Sequence, residues 1–92
     1  MAKRIQFADL KELISLKDNS AVLIETVWSK VEYHRSFQLQ KDNLLFTVRS
    51  RTDILPGYLV DWKGFDYTVQ NIAQVSKDFT VIECGLPSTL KA

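Results

Sequence analysis

Apolar and polar residues alternate along positions 44–72 in three short runs separated by turn chemistry. Leu44, Phe46 and Val48 share one parity, with Thr47, Arg49 and Arg51 on the other, which is the period of a half-buried strand. The runs Leu59-Val60-Asp61-Trp62 and Phe65-Asp66-Tyr67-Thr68-Val69 follow, joined by Lys63-Gly64, a pair suited to a tight hairpin. Between the first and second runs stands Leu55-Pro56-Gly57-Tyr58. Proline fixes φ at the second turn position and glycine accepts a positive φ at the third, so Pro56 and Gly57 predict a type II turn. Together the three runs predict a small antiparallel meander.

Residues 22–33 are rich in β-branched and aromatic side chains and predict a long strand, with Val22, Ile24, Thr26 and Trp28 on one parity. Beyond Trp28 the apolar positions change parity to Val31 and Tyr33, which predicts a bulge or sharp bend near Ser29-Lys30. Positions 8–16 fit two readings equally. Leu10, Leu13 and Ile14 have helical spacing behind an Asp9/Glu12 capping pattern, and the same segment also reads as a strand at 13–16. Lys17-Asp18-Asn19-Ser20 is a turn. The polar stretch 34–43 carries the isolated apolar residues Phe37 and Leu39, and reads as a hairpin extension or as a flexible excursion that orders against a partner. Residues 79–84 predict the last strand, and 85–92, with Gly85 and Pro87, a frayed tail. The expected fold is all-β, a small antiparallel barrel or strongly curled sheet, with a short N-terminal helix as the alternative to a strand at 8–16.

Ninety-two residues, 46% hydrophobic, fit one domain spanning 1–92. Lys and Arg number 12 against 11 for Asp and Glu, so a net charge of +1 supplies no global field for a polyanion. The single cysteine, Cys84, has no intrachain partner for a disulfide, and no apolar run approaches the ~20 residues of a spanning helix, which leads us to expect a soluble, unsecreted protein.

Candidate chemistry is sparse. Cys84 has no metal-spaced neighbour and His34 no local ligand partner, Gly57 and Gly64 form no phosphate loop, and no cofactor or metal is expected. Asp53, Asp61 and Asp66 suit turns and solvated strand faces better than acid-base work. We expect no enzyme. Arg49 and Arg51 share a parity pointing away from Phe46, where they either make bidentate contacts to a partner or pair with Asp53, Asp61 or Asp66. Trp28, Trp62 and Tyr67 are core residues by default and interface anchors if they lie at a rim.

The segments Glu25-Thr26-Val27-Trp28-Ser29-Lys30-Val31, Ser36-Phe37-Gln38-Leu39-Gln40, Phe46-Thr47-Val48-Arg49-Ser50-Arg51-Thr52-Asp53-Ile54 and Val60-Asp61-Trp62-Lys63-Gly64-Phe65-Asp66-Tyr67-Thr68-Val69 together resemble the phage head-tail joining, or head-closure, family. The likeness covers most of 21–84. Trp28 followed by Arg-x-Arg-x-Asp-Ile and a Gly-x-x-Tyr turn is its most discriminating combination. The chain departs from the family pattern at its beginning, where a clear first strand and a glycine-bearing hairpin belong. The resemblance implies a small barrel that assembles with copies of itself as a ring beneath the portal or adaptor, at the head-tail junction of the virion after assembly in the host cytoplasm. Such a ring extends or closes the DNA exit channel, passes DNA without sequence-specific recognition, and docks the tail or its completion proteins. On this likeness Trp28 supports the central strand, Gly64 and Tyr67 shape the hairpin, and Arg35, Phe37, Leu39 and Lys41 lie in a segment that faces neighbouring subunits or the channel. A tail-completion protein is the nearest variant; a nucleic-acid-binding barrel and an orphan interaction domain are the readings from other classes.

Overall fold

A computed structural model describes residues 6–36 and 41–85, with the backbone alone for 34–36 and 41–42. A single 3₁₀ turn at Phe7–Asp9 precedes six strands: β1 (Glu12–Lys17), β2 (Leu23–Ser36), β3 (Lys41–Arg49), β4 (Leu59–Trp62), β5 (Phe65–Gln74) and β6 (Phe79–Gly85). Every pairing is antiparallel, and the order β1-β2-β3-β6-β5-β4 closes on itself through β4 and β1. The all-β barrel expected from the alternation is therefore the fold.

Positions 8–16 resolve in favour of the strand. The reach of the helical alternative is limited to one turn, in which the Gln6 amide donates to Asp9 Oδ2. Ile14 and Leu16 then point inward with the period of two, and both are fully buried.

The meander predicted over 44–72 requires correction. β3 pairs with β2 and β6 and never with β4, so the Pro56-Gly57 turn does not join neighbouring strands; it lies on a connection that carries the chain to the other side of β1. Local alternation specifies strands, but their partners depend on non-local pairing that closes the barrel. The turn chemistry itself is as expected: Gly57 has φ +95 and the Tyr58 amide donates to Leu55 O at 3.1 Å. Lys63 and Gly64 both adopt positive φ, 54 and 84, the geometry of a two-residue hairpin turn between Trp62 and Phe65.

The 34–43 segment is largely a hairpin extension. Arg35 pairs with Asp42 and Ser36 with Lys41, so β2 and β3 stay paired as far as those residues. Phe37 and Leu39 lie outside the described residues, as do the side chains of Arg35 and Lys41. Gly85 is still paired, with Asn43 and Thr68; the remainder of the tail read as frayed lies outside the described residues.

The interior is filled by Ile14, Leu16, Leu44, Phe46, Val48, Ile54, Val60, Tyr67, Val69, Ile82 and Cys84. Phe46, Trp62 and Tyr67 form a ring triad with centroids 5.9, 6.0 and 6.1 Å apart. Those spacings lie within the range in which tilted aromatic pairs attract. Trp62 is half-buried against this core and its indole N–H donates to Glu12 Oε1 at 3.3 Å, which ties β4 to the start of β1.

Candidate functional site: a gap in the barrel wall beside Trp28

The parity slip predicted at Ser29-Lys30 does not occur. Val27, Ser29 and Val31 all face inward, with Ser29 completely buried, and Trp28 stands on the outer face, 57% exposed. A serine is small enough to sit where β2 passes from one neighbour to the next, and its hydroxyl donates to Lys30 O at 3.0 Å. The register irregularity lies instead opposite Leu16 and Lys17, whose partners Glu25 and Leu23 skip Ile24. Trp28 therefore does not anchor the core. It is paired directly with Leu13 on β1, itself 53% exposed, which leaves an apolar cross-strand pair on the outside of the wall.

β2 exchanges partners at this point. Residues 23–29 pair with β1, and pairing with β3 begins at Lys30 opposite Thr47. Beyond that pair β2 and β3 diverge, and between them opens a cleft of about 640 Å³. Its lining includes Val27 and Val48 from the inner faces and Trp28 and Arg49 from the outer ones, as expected of a gap through the wall. Leu10 also contributes to it.

Arg49 and Arg51 separate in role. The Arg49 guanidinium lies 4.5 Å from the centre of the Phe7 ring, which packs on Phe79 at 4.9 Å, so the N-terminal turn stacks against this exposed cation. Arg51 grips Asp53 through Nε to Oδ1 at 2.7 Å and Nη2 to Oδ2 at 2.8 Å, while its Nη1 reaches Glu25 Oε1 on β2 at 3.0 Å. Hydrogen bonding from Arg51 holds the Asp53 carboxyl below its usual range, and the same bond raises Arg51. The backbone of Arg51 is fixed as well, its amide donating to the hydroxyl of the buried Thr80 at 3.1 Å.

Asp61 and Asp66 do not serve the arginines. They face each other across β4 and β5, and Lys17 sits between them at 3.3 and 3.2 Å. This cation offsets the repulsion of two carboxylates placed directly opposite. Bonds to Asp66 and then Asp61 raise the lysine's pKa.

Among the described residues no group of three or more His, Cys, Asp and Glu side chains is placed to hold a metal ion. Cys84 is sealed in the core, where burial and then the neighbouring Glu83 push its thiol up to about 12, so it remains protonated. The residue that reading the sequence missed is Glu25. Its partner lies 26 positions away, and only the barrel's curvature signals the contact.

No family model matches the chain, and no characterised protein or solved structure matches it.

Proposed function

We propose that this chain is a structural component of a phage connector, a head-closure barrel that joins the DNA-filled head to the tail as a ring of identical copies. The observation that carries the reading is that Trp28 and the Arg49-to-Asp53 run, two of the three pieces of the most discriminating resemblance, line the same cleft. Residues so placed form one surface. The exposed Leu13/Trp28 pair beside it supports a contact between protein subunits, since an aromatic and an aliphatic side chain on an outer strand face gain most by being covered.

A ring follows naturally from such a surface. Each copy meets its neighbours through two different lateral faces, and rotation closes the contact. The role is assembly and channel closure, at the head-tail junction of the virion, with the portal or adaptor above and the tail or its completion protein below. DNA passes without base recognition. Two of the barrel's cations are engaged within the wall, Lys17 by two aspartates and Arg51 by Asp53 and Glu25, which weakens their pull on phosphates.

The test is reconstitution of the purified chain with a portal-adaptor complex from a phage whose gene order places it beside those proteins, followed by imaging. An added ring of density at the adaptor supports the reading. A connector that never binds the chain, together with normal head filling and tail attachment in its absence, rejects it.

A further inference from the structure

Along its first half β2 has a strand on one side only. β1 and β3 flank β2 on opposite edges, β1 covers residues 23–29, and β3 begins its pairing at Lys30. The β3-side edge of 23–29 therefore has no strand beside it among the described residues, and its residues 25–28 line the cleft. The opposite wall repeats the condition. Val48 and Arg49 pair with Thr80 and Phe79 of β6, but the last β3 residue paired with β2 is Thr47. No backbone hydrogen bond joins the two walls among the described residues; the contact across the mouth is the Arg51-to-Glu25 ion pair.

A strand edge carries alternating donors and acceptors at a rise of ~3.3 Å per residue, and an uncovered edge is a template for another extended chain. From this geometry we infer that the cleft is a strand-addition site for an extended protein segment, laid along β2 residues 24–28, with apolar side chains at alternate positions and a lysine or arginine facing Glu25. The alternation follows from the walls. Val27 and Val48 offer apolar contact to the inner face of an inserted strand, and Trp28 lies beside its outer face, which otherwise projects to solvent. The charge follows from the strut, where two carboxylates, Glu25 and Asp53, share one guanidinium, while the Arg49 guanidinium lies against the Phe7 ring. Glu25 is 59% exposed and gives one oxygen to Arg51, so a second cation can share it.

The inference goes beyond the connector reading and does not depend on it. The site would take such a segment from a partner whether or not the partner belongs to a phage.

Amide hydrogen exchange on the full chain tests it, with a nine-residue capped peptide alternating valine with threonine, and with lysine in place of the valine that falls opposite Glu25, as the probe; Glu25 shares the face of Val27. In the free protein, amides of 24–28 that point at the cleft exchange at least about tenfold faster than those paired with β1. With millimolar peptide they slow by at least about tenfold, as do amides at 48–49. Glu25→Gln and Trp28→Ala each weaken the effect about threefold or more while leaving protection in β5 and β6 unchanged. Absence of protection at millimolar peptide overturns the inference. So does equal protection by a peptide methylated on alternate backbone nitrogens, which retains the side chains but cannot pair. Protection that rises with protein concentration alone overturns the choice of occupant and makes it a second copy.

Discussion

Arg51 stands 3.0 Å from Glu25 and clasps Asp53 with two further nitrogens, so one guanidinium joins the segment after β3 to the edge of β2. Both carboxylates are half-exposed or more, and the gain is therefore modest despite the bidentate geometry. Arg51→Ala is expected to cost about 1 kcal/mol at neutral pH. The pH dependence has a definite sign. Asp53 has a folded pKa lowered from its ordinary 3.8, so its share of stability is present above that ordinary value and is lost as pH falls through the lowered one. Urea unfolding of both proteins over a pH series should show the gap closing on acidification below the ordinary carboxylate range; a gap that stays constant in strong acid contradicts the pairing.

Phe46 is fully buried at the meeting point of Trp62 and Tyr67. Its removal leaves a cavity bounded by rigid rings that cannot collapse into it. Phe46→Ala should cost about 3–5 kcal/mol, a large part of the total for a domain of this size, whereas Phe46→Leu should retain the fold with a smaller loss. Denaturant midpoints measure both.

The β4-β5 turn places a lysine at φ 54 before a glycine at φ 84. Asparagine tolerates that conformation better than lysine, so Lys63→Asn should raise stability by about 0.5 kcal/mol. Gly57→Ala should lower it by about 1 kcal/mol from backbone strain alone, because no atom lies within 4 Å of the added Cβ. Thermal unfolding of the pair gives the two opposite shifts, and shifts of the same sign would contradict the turn geometry.

The Cys84 thiol, pushed up to about 12 and completely buried, should be silent toward a thiol reagent at pH 8. It should react stoichiometrically once the barrel is unfolded in denaturant. Fast native-state labelling would show that the core opens locally around β6.

The strands were legible where the signal is local. Alternation at Leu44, Phe46 and Val48, the Pro56-Gly57 turn and the Lys63-Gly64 hairpin all depend on residues adjacent in the chain, and each is found. What was not legible depends on closure. The neighbours of β3 are set by β6 and β2 meeting around the barrel, which no short window contains. Trp28 and Ser29 reverse their expected sides for the same reason: hydrophobicity places a tryptophan inside, but where β2 changes partners the interior has room for a serine, and the indole remains outside. Arg51 was readable as one member of a pair with Asp53, two residues on, but the third member, Glu25, was not.

Trp28 gives the most direct measurement of the central claim, because it contributes to the proposed subunit surface and little to the core. Trp28→Ala should shift stability by less than about 0.5 kcal/mol, as exposed positions do. Added to a portal-adaptor complex and imaged, the unmodified chain should form a further ring, and Trp28→Ala at equal concentration should leave the adaptor bare. If the unmodified protein never joins the complex, or the variant assembles as well as the original, the Trp28 surface is not a connector interface.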